Sequence, residues 1–181
     1  MSEHSSEIVP ILQLGHPLLR QQAAPIADVL SDRTQTLIDQ LLTVVKEANG
    51  VGIAAPQIGR SQQVLVVASR PNLRYPNAPT MEPIALLNPR LLAHSDELEK
   101  GWEGCLSVPG IRGLVPRYRA IDVEYTGRDG QVQRQTFTDF VARIFQHEFD
   151  HLTGKVFLDR VETTHDLMTE QEFHKQVIQK L

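Results

Sequence analysis

The sequence predicts an α+β fold. A run of short strand-like segments falls between two stretches of helical period, and a third such stretch closes the chain. Strands that follow one another with few helices between them do not give the alternating rhythm of a parallel α/β sheet. The expected architecture is a compact single domain over 1–181. Antiparallel or mixed sheets surround a central helix, and a C-terminal helix follows.

The elements follow in chain order. From Asp32 to Asn49 apolar residues recur at Leu37, Leu41, Val44, Val45 and Ala48, the spacing of an amphipathic helix that starts after Ser31 and stops at Gly50. Gln62–Ser69 is short and β-branched, a buried strand, and the prolines after Arg70 force a loop. Ile84–Leu87 and Arg90–Leu92 read as strands on either side of a bend at Pro89. Arg119–Thr138 alternates around Arg128-Asp129-Gly130 and predicts an antiparallel hairpin. A second helix runs from about Asp139 to Leu152, with Thr138 as N-cap and Gly154 as C-cap residue. His165–Leu181 predicts the C-terminal helix.

Composition excludes several classes. A chain of 181 residues buries roughly 70% of its unfolded surface, so no metal or disulfide is needed merely to fold. A formal charge of −4 supplies no general field for nucleic acid or an anionic membrane. No apolar run approaches a membrane span, and the polar start Met1–Glu7 lacks the features of a signal or transit peptide. A soluble, cytoplasmic protein is expected. One cysteine, Cys105, excludes an internal disulfide and leaves a buried thiol, a reactive thiol or a metal ligand.

The second helix contains His147-Glu148-Phe149-Asp150-His151, the pattern H-E-x-x-H. Its spacing sets two imidazoles one turn apart on one face, with a glutamate beside the remaining coordination position. With 7 histidines in the chain, a chance match is roughly two in a hundred, so two satisfied core histidines are the weaker reading. Phe140, Arg143, Ile144 and His151 share the side of His147, whereas Phe145, Phe149 and Leu152 form a separate apolar stripe. The stripe anchors the helix and leaves the histidine side to face a cleft. Asp150 has no evident partner in sequence.

A third ligand is needed. The metzincin position after Gly154 holds Phe157, which excludes that class. Glu170 or Glu172 suits a peptidase that takes a downstream glutamate. Cys105, in the glycine-hinged loop Glu103-Gly104-Cys105-Leu106-Ser107, suits thiolate ligation, with following N–H groups free to meet a substrate oxygen. Gly50–Gln57 imitates a dinucleotide fingerprint, but a helix precedes it and a strand follows, the reverse of that fold. It reads instead as backbone that approaches a ligand, with Gln57 as an amide donor.

Taken together, Gly50–Gln57 (G-x-G-x-A-A-x-Q), Glu103–Ser107 (E-G-C-L-S) and Gln146–Leu152 (Q-H-E-x-D-H-L) resemble the signature of the peptide deformylases. Gly15-His16-Pro17-Leu18-Leu19-Arg20 is similar to the family's N-terminal signature. The resemblance covers about Gly15 to Gly154 and implies one catalytic domain that removes formate from the N-formylmethionine of newly synthesised polypeptides. It implies Cys105, His147 and His151 as ligands of one divalent metal, Glu148 as general base and acid, and Gln57 with the Leu106 N–H as oxyanion donors. Metal would lower the pKa of its water and polarise the formyl carbonyl. Val51, Gly52, Gly110 and Arg112 would bind the peptide. Phe140, Arg143 and Ile144, already placed beside His147 by periodicity, would wall a pocket for the methionine side chain. Glu103 and Arg117 would form an ion pair behind the ligands.

Ligand chemistry alone favours zinc over ferrous iron, whereas the resemblance implies Fe2+, with Zn2+, Ni2+ or Co2+ as substitutes. The implied partners are nascent N-formylmethionyl peptides, met at the ribosome, with neither membrane nor nucleic acid. Two other readings stand: a metallopeptidase with Glu170 or Glu172 as third ligand, and a non-catalytic domain in which a fourth side chain closes a structural zinc site.

Overall fold

A computed structural model describes residues 9–180. The leader reading of Met1–Glu7 and the expected helix end at Leu181 lie outside the described residues.

Helix α1 (Asp32–Glu47) begins where Ser31 accepts a hydrogen bond from the Thr34 amide. It ends earlier than its pattern suggests. Asn49, at φ 52°, takes the left-handed position expected of Gly50. A five-stranded sheet has the order β1 (Gly52–Ala54), β2 (Val64–Val67), β3 (Ile84–His94), β6 (Ala120–Thr126), β7 (Val132–Thr138), with every pairing antiparallel. Val64 and Val66 of β2 pack with Leu37, Ile38 and Leu41 of α1 on one face. Leu65 and Val67 pack on the other with Phe145 and Leu152 of helix α2 (Asp139–Leu152). A strand covered on both faces has no reason to alternate, hence the unbroken Val-Leu-Val-Val.

Several boundaries differ from expectation for identifiable reasons. The bend at Pro89 is absorbed within β3: Asn88 takes a left-handed φ of 48°, its side chain bonds both backbone groups of Ile26, and the register shifts between Leu87 and Arg90. The hairpin over Arg119–Thr138 forms as expected. Thr138 occupies the N-cap of α2 but makes no side-chain cap bond.

A second sheet, order β4 (Leu98–Cys105), β5 (Val108–Tyr118), β8 (Leu167–Thr169), is built from residues to which the sequence assigned no strand. Cys105 pairs with Val108, so Glu103–Cys105 is the end of a strand rather than a glycine-hinged loop. The C-terminal helix is shorter than expected. Leu167–Thr169 pair with Ile111–Gly113, and helix α3 spans only Glu170–Gln176.

Helix α2 is fixed between the two sheets. Gln146 accepts from the Tyr118 amide and donates to its carbonyl, and Arg143 donates to the carbonyls of Glu99, Gly101 and Val115. At its far end Gly154, φ 74°, lies so close to the N-terminal segment that a Cβ would be 2.6 Å from the Arg20 carbonyl oxygen.

Candidate active site

Helix α2 carries His147 and His151 one turn apart, and the end of β4 brings Cys105 against them. Cys105 Sγ lies 3.3 Å from His151 Nε2. One donor atom from each of Cys105, His147 and His151 lies within 4.8 Å of the others. A thiolate and two imidazole nitrogens form a donor set suited to a borderline divalent cation, so these residues fit the ion that the sequence implied. Among the described residues no fourth such side chain joins the group. Glu170 instead accepts from Arg112 at 2.6 Å, and Glu172 accepts from Lys175 and Gln176. Neither glutamate supplies the third position.

His147 is oriented from behind. Glu103 Oε2 lies 2.9 Å from its Nδ1, which leaves Nε2 for the ligand side. Arg117 grips Glu103 through Nε and Nη2 at 2.9 and 3.0 Å, and Arg143 adds a third contact at 3.0 Å. The other end of Arg117 donates to Asp150 at 2.6 Å, and Arg160 also grips that carboxylate. This supplies the partners of Asp150. Burial pushes the Glu103 carboxyl up, but the Arg117 guanidinium and the His147 hydrogen bond hold it far below the usual carboxylate range. Burial also pushes the Cys105 thiol up, and the two imidazoles outweigh it, so the thiol lies well below its ordinary value.

Glu148 occupies the opposite condition. Burial raises its pKa to about 7, with His147 and His151 pulling against the rise. Among the described residues its Oε2 is buried without a hydrogen-bond partner, as is His151 Nδ1. Gly52 permits this arrangement. A Cβ there would lie 2.6 Å from Glu148 Oε1 and 2.8 Å from Ile144 Cγ2.

Gln57, 1% exposed, is held by its own turn: Oε1 accepts from the Ala54 amide at 2.8 Å. That bond turns Nε2 toward Ser107 Oγ at 3.1 Å and Cys105 Sγ at 3.6 Å. The incoming N-terminal segment braces the same corner, since Leu12 and Leu14 donate to the carbonyls of Gln57 and Ser107.

One cavity collects most of the residues singled out in the sequence. Val51, Gly52, Gln57, Glu103, Cys105, Leu106, Phe140, Arg143, Ile144, His147 and Glu148 all line it. Gly110 and Arg112 lie instead on an adjoining recess past Cys105, where Arg112 is almost wholly buried. Sequence reasoning missed Asn72, Arg74 and Tyr75, which reach the cavity from the proline-rich loop between β2 and β3. Such a loop carries no periodicity from which an inward side chain could be read.

The family model described as polypeptide deformylase matches residues 8–166. The chain is 59% identical over 171 residues to peptide deformylase 2 of Nostoc sp., covering 94% of this chain and 96% of that protein. It is 44% identical to peptide deformylase 2 of Shewanella oneidensis, covering 95% and 94%. Among solved structures it is similar to a class I type b peptide deformylase of Acinetobacter baumannii with Met-Ala-Ser bound, at TM-score 0.83 and 43% identity over 85% of this chain and 98% of that one. A peptide deformylase of Thermotoga maritima gives TM-score 0.76 and 33% identity, over 86% and 99%. With the Cys-His-His group, the buried glutamate and these likenesses in agreement, the chain belongs to the polypeptide deformylase family and is a metal-dependent peptide deformylase.

Proposed function

We propose that Cys105, His147 and His151 hold one ion, Fe2+ in the working enzyme with Zn2+, Ni2+ or Co2+ as substitutes, and that residues 1–181 form one catalytic domain. The substrate in this reading is the N-formylmethionine end of a nascent polypeptide, met in the cytoplasm at the ribosome. No helix among the described residues is long and apolar enough to cross a membrane. The observation that carries the reading is Glu148 on the cavity it shares with Cys105 and His147, its carboxylate Oε2 buried and without a hydrogen-bond partner among the described residues.

When bound, the ion supplies Lewis-acid activation of water and of the formyl carbonyl. Glu148, poised near neutrality, takes the water's proton at a carboxylate oxygen and returns it to the departing amine. Gln57 Nε2 and the Leu106 N–H donate to the oxygen that gains charge as the carbonyl carbon becomes tetrahedral. Glu103, held by Arg117, keeps His147 in one tautomer. Val51, Gly52 and Gly110 offer backbone groups to the peptide, and Arg112 acts from behind the strand. Phe140, Ile144 and the stem of Arg143 wall the first side chain.

Formate release from formyl-Met and formyl-Ala versions of one tripeptide tests this reading. The methionyl peptide should lead in kcat/KM by about 10- to 150-fold, because its longer apolar side chain is buried, and Ile144→Ala should compress the ratio. Glu148→Ala should lower turnover by about 10² to 10⁴ with metal retained. Equal kcat/KM values, or wild-type turnover in metal-loaded Glu148→Ala, would overturn the assignment.

A further inference from the structure

The family match ends at residue 166, yet the segment beyond it is tied to the cavity. Strand β8 pairs with β5, and α3 opens on Glu170, whose Oε1 accepts from Arg112 Nη2 at 2.6 Å. Arg112 is 2% exposed. Its guanidinium carbon lies 5.3 Å from the Phe173 ring centroid and 5.8 Å from that of Tyr75. Among the described residues Glu170 is the carboxylate within ion-pair distance of this buried cation, and a buried cation without an anion does not keep its place.

Arg112 in turn contacts the cavity wall. A Cβ on Gly104 would lie 2.2 Å from its Nη1, so glycine is what lets the guanidinium pass behind β4. Arg112 Nη1 is 3.5 Å from Tyr75 Oη, and the same hydroxyl accepts from the Gly104 amide at 3.2 Å. The Tyr75 ring packs 4.9 Å from Phe140. Tyr75, Gly104 and Phe140 all line the cavity, and Gly104 precedes the ligand Cys105.

We propose that Glu170 is a positioning residue for peptide binding: through Arg112 it fixes the Tyr75 hydroxyl on Gly104, and that hydroxyl anchors the Tyr75 ring against Phe140, so that α3 sets how firmly the peptide is held. This rests on the cavity being the formyl-peptide site.

A double-mutant cycle on the metal-loaded enzyme tests it, with KM and kcat for a formyl-Met tripeptide as the readout. Glu170→Gln should raise KM about 3- to 10-fold, the scale of one lost hydrogen bond, with kcat within about twofold and metal content unchanged. Placed on Tyr75→Phe, Glu170→Gln should have no further effect, because the hydroxyl through which it acts is gone. Trp102, the single tryptophan, packs on Phe173 at 5.5 Å, and its emission should stay that of the wild type. An unchanged KM in Glu170→Gln, or the same rise with and without the Tyr75 hydroxyl, would overturn the inference. Absence of formate release by the wild type would instead overturn the reading of the cavity, and the inference with it.

Discussion

Gly52 governs how closely β1 approaches α2, because the space a side chain would need is filled by Glu148 Oε1 and Ile144. Gly52→Ala should displace the glutamate by a fraction of an ångström to an ångström. Misplacement on that scale costs up to about 10²-fold. The expected result is kcat lowered roughly 10- to 10²-fold with metal content unchanged, and a variant as fast as the wild type would show that Glu148 has slack. At this scale the sequence displayed chemistry well and partnership poorly. Cys105, His147, Glu148 and His151 stood out because their residue types and spacing are rare. Asp150 did not reveal Arg117 and Arg160, which lie 33 and 10 residues away and meet it only through tertiary packing. Tyr75 was silent for the same reason.

Among the elements, α1 could be read because one face is buried, which imprints its period on the sequence, whereas α2, buried without a break from Ala142 to Glu148, was legible from its apolar stripe and H-E-x-x-H spacing, and the β6–β7 hairpin from the Arg128-Asp129-Gly130 turn. Strands β4 and β5 were hidden. Gly101, Gly104, Pro109, Gly110, Gly113 and Pro116 interrupt any alternation, and some of those glycines are dictated by neighbours rather than by strand propensity. At Gly113 a Cβ would lie 2.8 Å from the Phe157 ring. The C-terminal helix was overextended because pairing with β5 claims Leu167–Thr169 before α3 begins. The end of α2 yields a stability prediction. Gly154→Ala combines a left-handed φ with overlap onto rigid backbone at Arg20, so thermal unfolding should show a loss of about 1–3 kcal/mol. An unchanged midpoint would mean that the N-terminal segment yields instead.

For the molecule as a whole, an ionic chain runs from His147 through the buried Glu103, Arg117 and Asp150 to the exposed Arg160. Glu103 is held far down by Arg117 against the cost of burial, and Asp150 is held down by Arg160 and Arg117 against the same cost. Carboxyls depressed in the folded state stabilise it fully above their unfolded values, about 4, and that stability is lost as pH falls toward their folded values. Protonation of this pair should therefore make the urea midpoint of metal-stripped protein decline as pH falls below about 4.5. A midpoint constant down to about pH 3 would show that the chain adds nothing to stability. In the proposed reading β4 and α2 together build a one-ion hydrolytic centre from Cys105, His147 and His151. Metal content and formate release, measured together on anaerobically purified protein, address it most directly. One ion per chain and release of formate are expected for the wild type, both lost in Cys105→Ala and in His151→Ala. The ion should be kept in the Glu170→Ala, Glu172→Ala double variant. Metal retained by Cys105→Ala but lost from the glutamate variant would contradict the account.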